Sequence, residues 1–517
     1  MVLVDRLHDS PPRNDPTERG WSLDFIRAGT VAAGLSALLV VSALTPVRAL
    51  ADGYDPAGDV NSMYNTTAYT GATAWWNAGY TGQGVDVALI DTGVSPVEGL
   101  ATPGKIIYGP DLSLESQAPN LTNLDTNGHG TFVAGIIAGR GSNAQPGTYA
   151  TDAADFLGVA PDARIVSLKV GVADGGADVS QVIAAIDWVV QHKNDNGLNI
   201  RVLNLSYGTN SSQAYGDDPL AFAVEQAWKA GIFVVAATGN AGYVAHTGSL
   251  TDPAYDPKIF AVGASDSMGT LTTADDTVPS FSSTGSSSRT PDVVAPGTHI
   301  VSLRVPGSYV DQTFGSTGDV SQALFRGSGT SAAAAFVSGA AALVIQQRPA
   351  ITPNQLKKLF LMNADALTGF SAQKEGQGEI DLGTMLLANT VPAPNQWKTI
   401  AWSTGTGTLE GARGSDHLTA DGVVLSGEQD IFGHPFDSIS MAAAEAAGNS
   451  WSGGMWNGNS WSGSSWSGSS WSGNSWSGSS WSSSSWSGSS WSGSSWSGSS
   501  WSGNSWSGSS WSASSWS

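Results

Sequence analysis

Between about residues 71 and 388, short apolar runs alternate with stretches of helical spacing. Val85 to Ile90 is apolar except for Asp86, and Arg164 to Val170, Ile200 to Leu205 and Ile232 to Ala237 repeat that strand-like pattern. Ile259 to Ala264 and Asp292 to Ala295 add two more. Between them, Val179 to His192 places Val182, Ile183, Ile186, Val189 and Val190 at helical spacing, and Leu220 to Ala230 reads the same way. Apolar strands alternating with amphipathic helices predict an α/β fold, with a mostly parallel sheet covered by helices on both faces. In such sheets, sites form at the carboxyl ends of the strands.

The pattern changes on either side of this region. Residues 52–70 are polar and aperiodic and read as an N-terminal arm. After Pro392 and Pro394, Lys398 to Gly405 and Leu409 to Leu425 look like short strands, so 389–440 reads as a small β-rich appendix. Residues 441–517 form a tail in which Trp recurs every fifth position from Trp451, mostly as Trp-Ser-Gly-Ser-Ser, with no charge from Trp451 onward. An odd period puts successive Trp on opposite faces of an extended strand, so one flat strand cannot bury them all. Disorder or loose β structure is the expectation there, with a solenoid of five-residue turns as the alternative.

Charge and targeting signals narrow the class. The net charge of −21 over 517 residues, with no basic stripe, argues against nucleic acid. Arg6, Arg13, Arg19 and Arg27 precede an apolar run from Ala28 to Leu44, and Ala49-Leu50-Ala51 has the small-x-small form of a cleavage site. Residues 1–51 therefore read as a secretory signal, with an uncleaved anchor as the competing reading. The expected location is secreted or cell-surface associated. The chain has no cysteine, which excludes Cys nucleophiles and disulfides and leaves stability to a sizeable core.

Four Gly-framed polar residues carry the candidate chemistry. Asp91 ends the first apolar strand in Asp91-Thr92-Gly93. An aspartic protease would need a second such motif and an all-β pattern, and neither occurs. His129 stands between glycines at the head of a small-residue helix, in Gly128-His129-Gly130-Thr131. Asn240 follows a buried strand in Ala237-Thr238-Gly239-Asn240. Ser331 follows Gly329-Thr330 at the first turn of an Ala-rich helix over Ala332 to Ile345. Unpaired N–H groups and the helix dipole there suit a nucleophile whose reaction develops an oxyanion. Taken alone, Ser331 reads equally as a helix cap.

In the order Asp, His, Asn, Ser, these motifs resemble the subtilisin-like serine proteases, the subtilase or S8 family, and among them a secreted actinobacterial type. Gly158-Val159-Ala160-Pro161, Leu203-Asn204-Leu205-Ser206-Tyr207-Gly208 and Val294-Ala295-Pro296-Gly297 extend the likeness across 71–388, the expected catalytic domain. The resemblance implies an endopeptidase with Ser331 as nucleophile, His129 as base and acid, Asp91 as its orienting partner, and Asn240 as oxyanion donor. It also implies polypeptide substrates that pair with Ser206-Tyr207-Gly208 as an added strand, and a primary pocket lined by Ala237, Thr238 and Gly239. No cofactor is required for that chemistry. Structural calcium is implied by the resemblance, but no loop of EF-hand spacing appears, so no metal ligands are named.

The sequence departs from the family pattern in places. Ala332 and Ala335 stand where the family usually has Met and Pro. Loss of that Met removes an oxidisable thioether, which predicts better resistance to peroxide. Residues 303–326 read as an extra loop near the cleft. From Asp52 to Asp91 there is no room for a folding prodomain, so the expectation is folding without one, or with help from the C-terminal appendix. The alternative function is an inactive subtilase fold whose Trp-rich segment, 451–517, binds cell wall or itself.

Overall fold

The computed structural model describes residues 53–118, 120–242, 250–420 and 423–450, with two short strands at 455–456 and 459–460. The expected signal over 1–51 and nearly all of the Trp repeat lie outside these residues.

The apolar runs become strands β1 (Asp86–Asp91), β2 (Ile106–Asp111), β3 (Arg164–Lys169), β4 (Ile200–Leu205), β5 (Phe233–Ala237), β6 (Phe260–Ser265) and β7 (Val293–Pro296). A separate antiparallel pair, β8 (Ile300–Leu303) and β9 (Leu324–Gly327), follows. Two short strands, β10 (Ala364–Asp365) and β11 (Glu379–Ile380), complete one edge of a nine-stranded sheet. Its order is β10-β11-β7-β6-β5-β4-β1-β3-β2, parallel except for the β10–β11 pair. Every residue of β1, β5 and β6 is buried, so both faces of the sheet are covered.

The helices follow from caps and apolar spacing. Up to residue 347 they are α1 (Met63–Tyr69), α2 (Ala72–Asn77), α3 (His129–Ala138), α4 (Val179–His192), α5 (Pro219–Lys229), α6 (Tyr309–Gly318) and α7 (Thr330–Gln347), and further helices follow. The Ser62 side chain caps α1, so the arm read as aperiodic folds into a helix. Asp178 and Gln181 form a capping box on α4. Asp218 caps α5, with Pro219 in its first turn. Helix α7 is buried from Thr330 to Ile345 and packs on α3 and on β4 to β7. Small residues permit that approach: a Cβ at Gly339 would lie 2.7 Å from Val159 Cβ and 2.9 Å from the Ile137 carbonyl oxygen.

Three expectations need correction. Residues 303–326 are not an irregular loop; they contain α6 and most of β9. The Tyr309 and Val310 N–H groups donate to the Thr126 and Asn127 carbonyls, so this insertion rests on the loop leading to His129. Residues 389–440 are not β-rich. They hold a 3-10 turn (Asn395–Thr399), a helix (Leu409–Arg413) and one pair of two-residue strands, Thr419–Ala420 with Val423–Val424. The cause is packing on the body that holds the large sheet: Leu409, Ala412, Leu418, Leu425, Ile431 and Phe432 are buried in the common core, so tertiary contacts override strand-like composition. The boundary at 441 also fails, because a helix runs through it from Ser438 to Ala446 with Met441 and Ala442 buried.

Candidate active site

The predicted residues stand at the ends of sheet and helix elements, and α3 and α7, which carry two of them, pack together. β1 ends at Asp91, α3 begins at His129, and α7 begins one residue before Ser331. Asp91, His129 and Ser331 are 1%, 2% and 3% exposed. His129 Nδ1 lies 2.8 Å from Asp91 Oδ1 and 3.1 Å from Oδ2. A carboxylate at that nitrogen fixes the Nδ1–H tautomer and leaves Nε2 as the basic nitrogen.

The glycines around these residues are required by contact. A Cβ on Gly130 would lie 2.1 Å from the Gly93 carbonyl oxygen and 3.1 Å from Asp91 Oδ1. Gly93 itself has φ +106 and lies against the Leu124 and Asn123 carbonyls. The Asp-Thr-Gly and Gly-His-Gly motifs are thus two sides of one close backbone crossing.

A hydrogen-bonded frame, missed at the sequence level, holds this crossing. Thr92 donates its N–H to Asp91 Oδ1 at 2.7 Å, and its hydroxyl accepts from the Gly130 N–H at 2.9 Å. That hydroxyl donates to Asp125 Oδ1 at 2.8 Å. Asp125 also accepts from the Gly128 N–H (2.7 Å) and the Thr131 N–H (2.7 Å), the first turn of α3. Burial raises the Asp125 pKa above the usual carboxylate value, while these N–H donors pull it back. An acid just before a helix start is a readable capping signal, but spacing alone does not reveal its bond to Thr92. Lys169 and Glu115 pair, fully buried, at 2.5 Å, and Glu115 accepts from Thr126 and from the Ala173 N–H.

Asn240 follows β5 and faces the start of α7. Its Oδ1 accepts from the Thr330 N–H at 2.9 Å and the Thr330 hydroxyl at 3.0 Å. With the carbonyl end so engaged, Nδ2 is the end of the amide that can donate. The Gly239 N–H donates to the Thr330 hydroxyl at 3.2 Å, tying the predicted pocket segment to the same turn. Below, Ser206 Oγ donates to the Ser331 carbonyl at 3.3 Å and accepts from Asn204, whose Oδ1 accepts from Ser338 of α7. The β4 pairing with β1 and β5 runs as far as Leu205, just before Ser206-Tyr207-Gly208. Thr251 stands between the two predicted substrate segments. Its N–H donates to the Thr238 carbonyl, and a Cβ on Gly208 or Gly239 would strike its side chain at 2.5 or 2.6 Å.

Among the described residues no group of three or more His, Asp or Glu side chains gathers as a metal site.

The Subtilase family model (peptidase S8) matches residues 82–380. The chain belongs to the subtilase family. It is 38% identical over 291 residues to the serine protease AprX of Bacillus subtilis (strain 168), covering 55% of this chain and 62% of AprX. It is 34% identical to subtilisin Savinase of Lederbergia lenta, covering 57% of this chain and 89% of Savinase. A solved cold-adapted subtilisin-like serine proteinase is 29% identical, with 58% of this chain and 88% of that chain covered and a TM-score of 0.42.

Proposed function

We propose that this protein is a secreted, actinobacterial-type serine endopeptidase acting through Asp91, His129 and Ser331. The observation that carries the reading is the buried 2.8 Å contact of His129 Nδ1 with Asp91, with Ser331 in the first turn of α7, a helix packed on the α3 that His129 begins. In this reading His129 Nε2 takes the Ser331 hydroxyl proton as Oγ attacks the scissile carbonyl. The carbonyl oxygen becomes an oxyanion, held by Asn240 Nδ2 and the Ser331 N–H. His129 then gives its proton to the leaving amine, and water repeats the sequence on the acyl-enzyme. Asp91 stabilises the imidazolium in both halves. Ser206, Tyr207 and Gly208 pair with the substrate backbone, and Ala237, Thr238 and Gly239 border the side chain at the cleavage position.

A biotinylated phosphonofluoridate is the direct test. Labelling of Ser331 in the wild type, its loss in Ser331→Ala together with casein hydrolysis, and weak labelling in His129→Ala support the reading. A folded wild type that takes no label overturns it and favours a non-catalytic surface protein. We also propose that 451–517 retains the protein on cell wall or promotes self-association, because Trp faces stack on sugars and on each other. Co-sedimentation of the full chain with purified wall, compared with a chain ending at 450, tests this. Equal pelleting of the two, with equal oligomeric state in light scattering, rejects it.

A further inference from the structure

The subtilase match ends at residue 380, yet the chain after it is bound to the segment that follows the substrate-pairing residues. Residues 209–217 and 404–416 are joined along their length. The Thr209 hydroxyl donates to the Ala412 carbonyl at 2.5 Å and the Ser211 hydroxyl to the Gly411 carbonyl at 2.8 Å. Thr408 and Gln213 exchange bonds, with Thr408 N–H donating to Gln213 Oε1 at 2.9 Å. The Thr404 N–H reaches the Gly216 carbonyl and the Gly407 N–H the Asp217 carbonyl, at 2.7 and 2.6 Å.

Asp416 holds Asn210, the residue after Thr209, through both of its carboxylate oxygens. One carboxylate oxygen accepts from the Asn210 N–H at 2.7 Å, and the other from Asn210 Nδ2 at 3.2 Å. Asn210 is two residues beyond Gly208. The backbones also touch: Gly414 has φ +61, and a Cβ there would lie 2.3 Å from the Asn210 carbonyl oxygen. The adjoining Arg413 is fully buried. It donates to both oxygens of Asp178, which caps α4, and to the Gly427 and Gln429 carbonyls. Asp416 is therefore mounted on a strut anchored deep in the catalytic body. On the other side, Thr209 pairs with Asp252, next to Thr251 against the pocket segment.

We propose that Asp416 is a positioning residue for substrate recognition: through Asn210 it sets the register of Ser206-Tyr207-Gly208 for strand-like pairing with the residues preceding the cleaved bond. The proposal rests on the reading of 206–208 as the substrate-pairing segment. It assigns the C-terminal extension a part in binding extended peptides, with no contact to the reacting atoms.

Substrate length separates these ideas. kcat and KM are measured on the full-length enzyme and Asp416→Ala, using a single-residue N-acyl ester and a matched series of peptide anilides of two to four residues. The wild type gains kcat/KM with each added residue. Asp416→Ala loses about 10-fold on the four-residue substrate, chiefly in KM, as expected for weakened hydrogen bonds, and changes less than about 2-fold on the ester. Asp416→Asn, which keeps an acceptor for the Asn210 N–H, recovers most of the loss. An equal fall on ester and tetrapeptide, or no fall on either, overturns the proposal. A wild type indifferent to length overturns the reading of 206–208 itself, and the proposal with it. Should Asp416→Ala fail to fold, Asn210→Ala removes only the side-chain half of the contact. It then decides the question by a smaller, length-dependent loss or by its absence.

Discussion

Asp125 Oδ1 accepts the Thr92 hydroxyl at 2.8 Å, and so joins the turn behind Asp91 to the loop that delivers His129. The turns that carry Asp91 and His129 are thereby referenced to one buried carboxylate. Asp125→Asn turns one acceptor oxygen into an amine that must face an N–H donor, from either Gly128 or Thr131. We expect kcat to fall by about 10- to 100-fold through misplacement of the base, with KM within about 2-fold. Steady-state kinetics on one peptide anilide, with circular dichroism to verify folding, checks this; unchanged kcat contradicts it.

Asn240 has two separable roles, because its Oδ1 engages Thr330 while its Nδ2 is the proposed oxyanion donor. Asn240→Asp keeps the acceptor and loses the donor, whereas Asn240→Leu loses both. Both variants should lose about 10²- to 10³-fold in kcat, the usual effect of removing one oxyanion donor. Only Asn240→Leu leaves Thr330 without that acceptor, so its melting temperature should fall further than that of the Asp variant. Equal kcat in wild type and Asp variant would remove Asn240 from the oxyanion site.

Gly130→Ala places a methyl carbon 2.1 Å from the Gly93 carbonyl oxygen, a backbone atom that cannot swing aside. The crossing of the two motifs must open. The expected cost is about 3 kcal/mol or more, in the range of severe overpacking. Denaturant melts would register it, and a variant with wild-type stability would show that the crossing can relax.

Glu225 gives a pH dependence with a defined sign. Burial, and next the charge of Asp256, push its pKa up to about 8, while its carboxylate accepts from the Ser403 N–H at 2.8 Å. The folded value is raised above the unfolded one. Its contribution to stability is therefore full below about pH 4.5 and is lost as pH climbs through about 8. Glu225→Gln keeps an acceptor for Ser403 and does not titrate. The wild type should lose several °C of melting temperature relative to this variant between about pH 5 and pH 9. Parallel curves would contradict the assignment.

Asp91, His129, Asn240 and Ser331 were legible because each sits in a Gly-framed motif at the end of an apolar run, and the structure puts Asp91 against His129 and Asn240 against Thr330. The parallel sheet was legible from the same runs. Asp125, Thr92 and Thr330 were not, because their importance lies in partners 33 to 90 positions away that spacing does not reveal. Residues 389–440 misled for a physical reason. Their Gly and Thr content imitates turns and strands, but Leu409, Ala412 and Ile431 find their partners on the body of the protein, and packing decides the backbone. Nothing in the local sequence singles out Arg413; its burial with Asp178 is a tertiary fact.

That burial has a practical consequence for anyone dividing the gene. A chain stopped at 388 would expose the faces that Leu409, Leu418, Phe432 and Met441 cover, and would strand Asp178 beside the vacated place of Arg413. Removing one partner of a buried ion pair commonly costs about 3–5 kcal/mol, before the uncovered apolar area is counted. The smallest portion worth expressing therefore reaches to about residue 450, some seventy residues beyond the family's own end point at 380.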